Sequence, residues 1–221
     1  MRILNCGPYT VNLFAAGTSR TIVYIVMGQE DAQTVWAMLE EPKPALAAIS
    51  GVDWNRELSP WCAPRVFRGG EGFAGGGPAF LSTLAGRIVP LAKKHLGYIP
   101  QSSAIAGYSL AGLFALWSAF NTDTFDRVAS VSGSLWFDGF LDYVATNIPC
   151  GELRRVYLSL GNREKDTRNP RMAVVEDCTR KASGLLQGRG IPVTFEITQG
   201  GHFDNPPARI ARGITELLKG D

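Results

Sequence analysis

The stretch Ala104-Ile-Ala-Gly-Tyr-Ser109-Leu-Ala-Gly112 decides the fold, because it joins a predicted strand to a predicted helix through a tight turn. The strand is Ala104–Tyr108 and the helix is Leu110–Phe120. The glycines on either side of the serine let two backbone segments approach closely. Such a turn lifts the serine side chain above a sheet and points the positive end of the helix at it. A serine hydroxyl needs exposure, orientation and a base to act as a nucleophile, so the turn makes Ser109 a candidate nucleophile.

The motif alone leaves two interpretations open. Ala111 stands where the strict Gly-x-Ser-x-Gly pattern has its last glycine, which is a departure of one methyl group, and Gly112 follows at once. An ordinary strand-to-helix turn can also contain a serine. The choice between them depends on the rest of the chain.

Apolar strand-like runs alternate with helical patterns on both sides of this turn, which predicts a mostly parallel sheet with helices on both faces. The other predicted strands are Thr21–Met27, Ala45–Val52, Arg127–Ser132, Arg155–Leu160 and Val193–Thr198. The other predicted helices are Asp31–Glu41, Pro78–Leu96, Phe140–Asn147, Pro170–Gln187 and Ala208–Lys219, and Trp54–Pro78 is predicted to be a long loop. With the serine turn, this order predicts an α/β-hydrolase fold without a large lid. No linker interrupts it, so residues 1–221 are predicted to form a single domain.

Composition narrows the classes of function. The chain carries a formal net charge of +2 with scattered basic residues, which argues against a nucleic-acid partner. No stretch resembles a signal peptide or approaches the roughly 20 apolar residues of a membrane span. The four cysteines show no Cys-x-x-Cys spacing and are predicted to be reduced thiols. We therefore expect a cytoplasmic protein with no membrane partner, and the oligomeric state stays open.

The chain contains two histidines, and their positions differ. His95 ends an amphipathic helical pattern upstream of Ser109, where a solvated side chain is expected. His202 follows the last predicted strand and precedes the last helix, which is the place of the catalytic base in the chain order serine, acid, histidine. Two glycines before it allow the loop to turn the imidazole toward the serine. His202 is therefore the predicted base.

The acid is expected after the strand Arg155–Leu160, where Gly161-Asn-Arg-Glu-Lys-Asp166 supplies two carboxylates. Its task is to accept the N–H of the histidine and to fix the tautomer of the ring. Glu164 is the predicted acid and Asp166 the reserve, since Asp166 can equally serve the start of the next helix. Asp138 is a more distant candidate. Either loop carboxylate could instead be a solvated surface charge.

An oxyanion and a substrate need further groups. The backbone N–H of Leu110 and that of Gln29, after the strand Thr21–Met27, are predicted to form the oxyanion hole. Tyr108, Trp136 and Phe137 are predicted to line the substrate pocket, although the last two could equally belong to the core. Gly70-Glu-Gly-Phe-Ala-Gly75 matches Gly-x-Gly-x-x-Gly but follows no strand, so it predicts a flexible loop. The sequence also shows no P-loop and no metal-ligand cluster, so neither a cofactor nor a metal is expected.

Several segments together resemble the enterochelin esterase-like (esterase D-type) family of α/β-hydrolases. They are Val23–Gly28, Asn55–Trp61, Gly75–Leu81, Gly107–Ala115, Val131–Trp136, Leu160–Glu164 and Gly200–His202. The resemblance implies ester hydrolysis through Ser109 and His202, with neither a metal nor an organic cofactor. Some siderophore esterases of this type use a serine–histidine dyad, whereas mycobacterial mycolyltransferases of the same architecture use a glutamate as the acid.

These observations predict a serine esterase that hydrolyses short-chain acyl, aryl or siderophore-type esters through an acyl-enzyme on Ser109. Two alternatives use the same fold. One is an acyltransferase that passes the acyl group to another acceptor, and the other is a binding protein without catalytic activity.

Overall fold

The computed structural model describes residues 1–17, 20–66 and 68–219. Its strands are β1 Arg2–Cys6, β2 Tyr9–Phe14, β3 Thr21–Val26, β4 Ala45–Ser50, β5 Cys62–Ala63, β6 Phe73–Ala74, β7 Ser102–Tyr108, β8 Arg127–Val131, β9 Arg155–Gly161 and β10 Val193–Thr198. Its helices are α1 Gln29–Met38, α2 Trp54–Glu57, α3 Gly77–Thr83, α4 Val89–Leu96, α5 Leu110–Ser118, α6 Phe140–Thr146, α7 Pro170–Ala173, α8 Val175–Gln187 and α9 Pro206–Leu218. A π-helical segment, Leu84–Ile88, joins α3 to α4.

An eight-stranded sheet lies at the centre, in the order β1-β2-β4-β3-β7-β8-β9-β10. Every neighbouring pair from β4 to β10 is parallel, and β2 pairs antiparallel with both β1 and β4. Helices cover both faces, so the predicted α/β-hydrolase fold is confirmed. Because the carboxyl ends of parallel strands meet at one edge, the residues after β7, β8, β9 and β10 gather there.

Apolar cores lie on both faces of the sheet. All six residues of β3 are buried; Ile22 and Tyr24 face one core, and Val23 and Ile25 face the other. This alternation follows from the two-residue period of a strand, and burial on both faces explains why β3 reads as a continuous apolar run. Helices α3, α4, α5, α6 and α8 cover the first core, and α1 and α9 cover the second.

The structure adds elements that the sequence pattern did not predict. Strands β1 and β2 form a hairpin at one edge of the sheet, within a stretch for which we made no prediction. The predicted loop Trp54–Pro78 contains the short helix α2 and a two-stranded sheet of β5 and β6, and its position 67 lies outside the described residues. These elements are four and two residues long, too short to produce a readable hydrophobic period.

Two predicted helices are interrupted. The predicted helix Pro78–Leu96 contains the π-helical segment just before Pro90, whose ring nitrogen cannot donate a helical hydrogen bond. The predicted helix Pro170–Gln187 is divided into α7 and α8 at Val174. In the part of the chain that the structure describes, no helix has the length and apolar character needed to cross a membrane.

Candidate active site

Ser109 occupies the turn between β7 and α5 with a positive φ, which is rare for a residue with a side chain (φ 58°, ψ −121°). Gly107 has to be glycine here, because a Cβ atom on it would lie 2.1 Å from the carbonyl oxygen of Ala111. The extra methyl of Ala111 is buried without conflict, so the departure from the strict motif does not disturb the turn. The Ser109 N–H donates to Val131 O at 3.1 Å, which ties the turn to the end of β8. The strand–turn–helix geometry therefore raises the serine at the carboxyl edge of the sheet.

His202 follows β10 and reaches back to the serine. Its Nε2 lies 3.0 Å from Ser109 Oγ. The loop that carries it is fixed by Asp204, which accepts from the Gly201 N–H at 2.7 Å and pairs with Arg163 at 3.0 Å. The hydroxyl of Tyr108 donates to the carbonyl oxygen of His202. His202 is thus held through its main chain as well as through its ring.

Glu164 lies in the turn after β9, and its side chain is almost completely buried. Its Oε2 lies 2.7 Å from His202 Nδ1. Its Oε1 accepts three hydrogen bonds, from Ser132 Oγ at 2.8 Å, the Gly161 N–H at 2.6 Å and Arg209 Nη2 at 2.8 Å. The carboxylate therefore binds the imidazole through one oxygen and the protein frame through the other.

These contacts decide the ionisation state of Glu164. Burial raises the pKa of this carboxyl, but hydrogen bonds from His202, the Gly161 N–H, Arg209 and Ser132 outweigh burial and lower the pKa to about 2. A hydrogen bond to the charged form favours that form. Glu164 is accordingly ionised at neutral pH and can accept a hydrogen bond from the Nδ1–H group of His202.

Arg209, on helix α9, connects the acid to the histidine loop. Besides Glu164, its Nη1 donates to Tyr108 Oη at 2.9 Å and to Gly201 O at 3.2 Å. Helix α9 can approach the sheet because Gly213, one turn later, has no side chain; a Cβ there would lie 2.9 Å from a methyl group of Val131. Burial raises the pKa of Tyr108, whose hydroxyl therefore stays protonated and can donate.

The other carboxylates and the second histidine lie elsewhere. Asp166 is exposed, and Asp138 pairs with Arg171 at 2.8 Å. His95 is in α4, where its Nδ1 contacts Leu91 O at 2.9 Å. Among the described carboxylates, Glu164 is the one hydrogen-bonded to His202.

The two predicted oxyanion donors are placed differently. Leu110 is the first residue of α5, so its N–H has no acceptor within the helix. Leu110 also lines the cavity beside Ser109. Gln29 is the first residue of α1, is exposed, and is not among the described residues that line the cavity. The sequence analysis missed Ser134, whose Oγ lies 3.5 Å from Ser109 Oγ and whose N–H donates to Ser109 O at 3.0 Å.

A cavity of about 260 Å³ opens above the serine. Its lining is mainly apolar and consists of Trp54, Asn55, Val66, Gly70, Glu71, Phe73, Ser109, Leu110, Ser132, Ser134, Trp136, Glu164, Met172, Val175, His202 and Phe203. Trp136 lies where it was predicted, but Tyr108 and Phe137 do not line the cavity. Tyr108 turns under His202, and Phe137 is buried in the core against Trp61 and Phe73.

Three residues missed from the sequence carry signals that could have found them. Ser132 and Ser134 are small polar residues directly after a buried strand next to the nucleophile strand, where side chains reach the carboxyl edge. Arg209 lies near the start of the predicted helix Ala208–Lys219, in which the sequence analysis placed no site residue. It lies four residues before the buried Gly213 and eight before Leu217, so it occupies a buried helix face, where a charge requires a partner.

Comparison with known proteins gives one relative by sequence and several by structure. A Bacillus subtilis (strain 168) protein named "Uncharacterized protein YbbA" is 27% identical over 133 residues, which cover 58% of this chain and 53% of the relative. The chain thus spans about half the length of that relative. The siderophore hydrolase EstA from Aspergillus nidulans superposes with a TM-score of 0.73 at 20% identity, over 96% of this chain and 90% of that one. An IroE-like serine hydrolase from Shewanella oneidensis gives 0.76 at 17%, over 96% and 75%.

At these identities the two structures show the fold alone. The family model described as "Putative esterase" matches residues 53–204, more than half of the chain. That range holds Ser109, Glu164 and His202 and ends before Arg209. The resemblance to enterochelin esterase-like proteins is thereby confirmed, and the chain belongs to the putative esterase family of α/β-hydrolases.

Proposed function

We propose that this protein is a carboxylic ester hydrolase that works through Ser109, His202 and Glu164. The observation that carries the proposal is the unbroken path from Ser109 Oγ to His202 Nε2 at 3.0 Å and from His202 Nδ1 to Glu164 Oε2 at 2.7 Å. The ionised Glu164 accepts a hydrogen bond from the Nδ1–H group, which keeps that proton on Nδ1 and leaves the Nε2 lone pair free to accept the serine proton. Membership of an esterase family supports the same conclusion.

The first half of the reaction transfers the acyl group to the enzyme. Ser109 Oγ attacks the ester carbonyl carbon while His202 Nε2 takes the hydroxyl proton. The negative charge that develops on the carbonyl oxygen is stabilised by the Leu110 N–H at the start of α5, with Gln29 proposed as the second donor. The bond from carbon to the alcohol oxygen then breaks, and the imidazolium gives its proton to that oxygen. An alcohol leaves, and an acyl-enzyme on Ser109 remains.

The second half releases the acid. Water attacks the acyl carbon while His202 Nε2 takes one of its protons, and the bond from carbon to Ser109 Oγ breaks. The proton then returns to the serine. In both halves Glu164 keeps its charge and stabilises the imidazolium, so the proton moves only between His202 and the reacting oxygens.

The cavity narrows the substrate class. A volume of about 260 Å³ with walls of Trp54, Phe73, Trp136 and Phe203 accommodates one compact apolar or aromatic group. We propose small-molecule esters with a short acyl or aryl group as substrates. Siderophore-type esters belong to the same proposal because EstA, which has the same fold, is a siderophore hydrolase.

Turnover of p-nitrophenyl acetate tests the proposal. We expect Ser109→Ala and His202→Ala to lower kcat by more than about 10⁴-fold, because the nucleophile and the base act as one unit. Ser82→Ala, at an exposed position on α3, is the matched control and keeps the wild-type rate. A fluorophosphonate probe should label the wild type and not Ser109→Ala. Wild-type turnover in Ser109→Ala would disprove the assignment.

A further inference from the structure

The wall of the cavity comes from two different parts of the fold. Four of the lining residues lie on segments that follow strands of the central sheet: Ser109, Ser132, Glu164 and His202. Val66 and Phe73 belong instead to a hairpin outside the central sheet, in which Cys62 pairs with Ala74 and Ala63 with Phe73. We call Cys62–Val66 together with Phe73–Ala74 the wall hairpin. Its position over the sheet therefore sets the size of the cavity.

Arg171, on the short helix α7, clamps this hairpin to the rest of the wall. Its Nη1 donates to the carbonyl oxygens of Pro64 and Arg65 at 3.0 and 3.1 Å. Its Nε and Nη2 donate to the two carboxylate oxygens of Asp138 at 3.2 and 2.8 Å. The guanidinium carbon also lies 5.6 Å from the ring centre of Trp136, which lines the cavity. The side chain of Arg171 thus connects the wall hairpin to Asp138 and to Trp136.

Only arginine has the geometry for this arrangement. A planar guanidinium offers donors on two edges, so it can bind a carboxylate in a bidentate manner and still reach two carbonyl oxygens. A lysine ammonium would keep the charge but not the fork. Two neighbouring hydrogen bonds also hold the hairpin region in place. Asn169 Nδ2 donates to Val66 O at 2.9 Å, and Trp61 Nε1 donates to Asp138 O at 2.9 Å.

Arg171 does not itself line the cavity and does not contact Ser109, Glu164 or His202. The next residue, Met172, does line the cavity, so α7 carries both a wall residue and the clamp. The clamp therefore acts on the shape of the cavity and leaves the reacting groups untouched.

We propose that Arg171, held by Asp138, is a specificity-determining positioning residue that fixes the wall hairpin against Trp136 and so selects the size of the ester group that binds. The inference rests on the proposed esterase function and adds to it the structural origin of the substrate preference. It predicts that loosening the clamp changes discrimination between esters much more than it changes the chemical step.

Two series of substrates measure the preference for ester size. One series applies if the acyl group binds in the cavity, and the other applies if the alcohol group binds there. In one, p-nitrophenyl acetate, butyrate and benzoate vary the acyl group; in the other, ethyl and phenyl acetate vary the alcohol. For Arg171→Met we expect kcat on p-nitrophenyl acetate within about threefold of wild type. In at least one series, kcat/KM for the larger ester relative to the smaller one should fall roughly tenfold, the scale of a lost apolar pocket contact.

Matched variants separate the clamp from a general loss of charge. Arg171→Lys and Asp138→Asn should shift the same ratio in the same direction. Arg180→Met removes an arginine from the neighbouring helix α8 that pairs with Glu176 and not with the wall, and it should leave the ratio unchanged. Wild-type ratios in Arg171→Met, Arg171→Lys and Asp138→Asn, with the wild-type enzyme active, would overturn the inference and leave the esterase proposal intact.

Hydrogen exchange gives a second readout that does not depend on activity. In Arg171→Met the amides of Cys62–Val66 and Phe73–Ala74 should exchange faster, while those of strand β7 should not change. Unchanged exchange in the wall hairpin would overturn the positioning role. Absence of turnover by the wild type in both series would overturn the proposed function, and faster exchange would then still support the clamp.

Discussion

Two arginines support two different parts of this site: Arg209 contacts Glu164, and Arg171 contacts the wall hairpin. One of these arginines is buried and the other is partly exposed. Arg209 and Glu164 form a buried pair, with 7% and 3% of their side chains exposed. Arg171 and Asp138 form a pair at the surface, with 27% and 47% exposed. Each guanidinium binds a carboxylate and at least one backbone carbonyl oxygen. An arginine–carboxylate pair thus supports the proposed catalytic residues in the core, and a second such pair supports the wall hairpin at the surface.

The difference in burial between the two pairs indicates which part of the site is rigid and which part can vary. The proposed catalytic residues follow strands of the central sheet, and the pair of Glu164 and Arg209 among them is buried, so a displacement would disturb packed groups. The wall hairpin is held by hydrogen bonds from Arg171 and Asn169 and by the packing of Phe73 on neighbouring aromatic rings. The Arg171 pair is partly exposed, so its hydrogen bonds can change without unfolding the sheet. We infer that substrate preference in this fold can be altered through the wall while the catalytic geometry is preserved.

The largest expected effect concerns Glu164. Three donors converge on its Oε1, so in Glu164→Gln the amide oxygen takes that place and the NH₂ group faces His202 Nδ1. The ring then keeps its proton on Nε2 and cannot accept the proton of Ser109. We expect kcat on p-nitrophenyl acetate to fall by about 10⁴-fold with a folded protein.

Asp166→Asn is the control for this change, because Asp166 is exposed and does not contact His202. It should keep kcat within about twofold. If the enzyme worked as a serine–histidine dyad, Glu164→Gln would cost less than about tenfold, and such a result would remove Glu164 from the catalytic set.

The next effect is on stability and compares the two arginines directly. Arg209→Met leaves the carboxylate of Glu164 buried without its cation, which should lower the free energy of unfolding by about 3–5 kcal/mol. Arg171→Met removes a partly exposed pair and should cost about 1 kcal/mol. Urea denaturation at neutral pH measures both values. Equal losses would contradict the distinction between a rigid core site and an adjustable wall.

The last effect is the acid sensitivity of the buried carboxylate, which develops only below neutral pH. Its pKa lies at about 2 in the folded protein against an ordinary value of 4.5, so folding favours the ionised form. That preference contributes about 3 kcal/mol, complete above pH 4.5 and lost as the pH falls toward 2. We expect the unfolding free energy of wild type to decrease more steeply below pH 4.5 than that of Glu164→Gln. Parallel profiles for the two proteins would show that Glu164 makes no such contribution.

The sequence predicted the fold and the serine–histidine pair because both depend on order along the chain. A serine in a tight turn and a histidine after the last strand can be located without coordinates, since parallel strands bring their carboxyl ends together. The direction in which a side chain beside such a turn points cannot be predicted from the order of elements along the chain. Tyr108 turns under His202 and Phe137 into the core, although both stand next to residues that line the cavity.

The remaining parts of the site depend on contacts distant in sequence. Arg209 lies 45 residues from Glu164, and only the packing of α9 on the sheet brings them together. The wall hairpin lies in a segment without hydrophobic periodicity, so the sequence did not indicate that Val66 and Phe73 are the residues of this hairpin that line the cavity. Local patterns therefore predicted the elements, whereas long-range packing determined the cavity and its supports.

The place of Arg209 along the chain has a consequence for synthesis. The ribosome releases the strands of the sheet, Ser109, Glu164 and His202 before it releases α9. Until that helix docks, the carboxylate of Glu164 must remain hydrated or be buried without its cation, and burial alone costs several kcal/mol. We therefore expect the hydrogen bonds of Glu164 to be complete only after α9 has packed on the sheet.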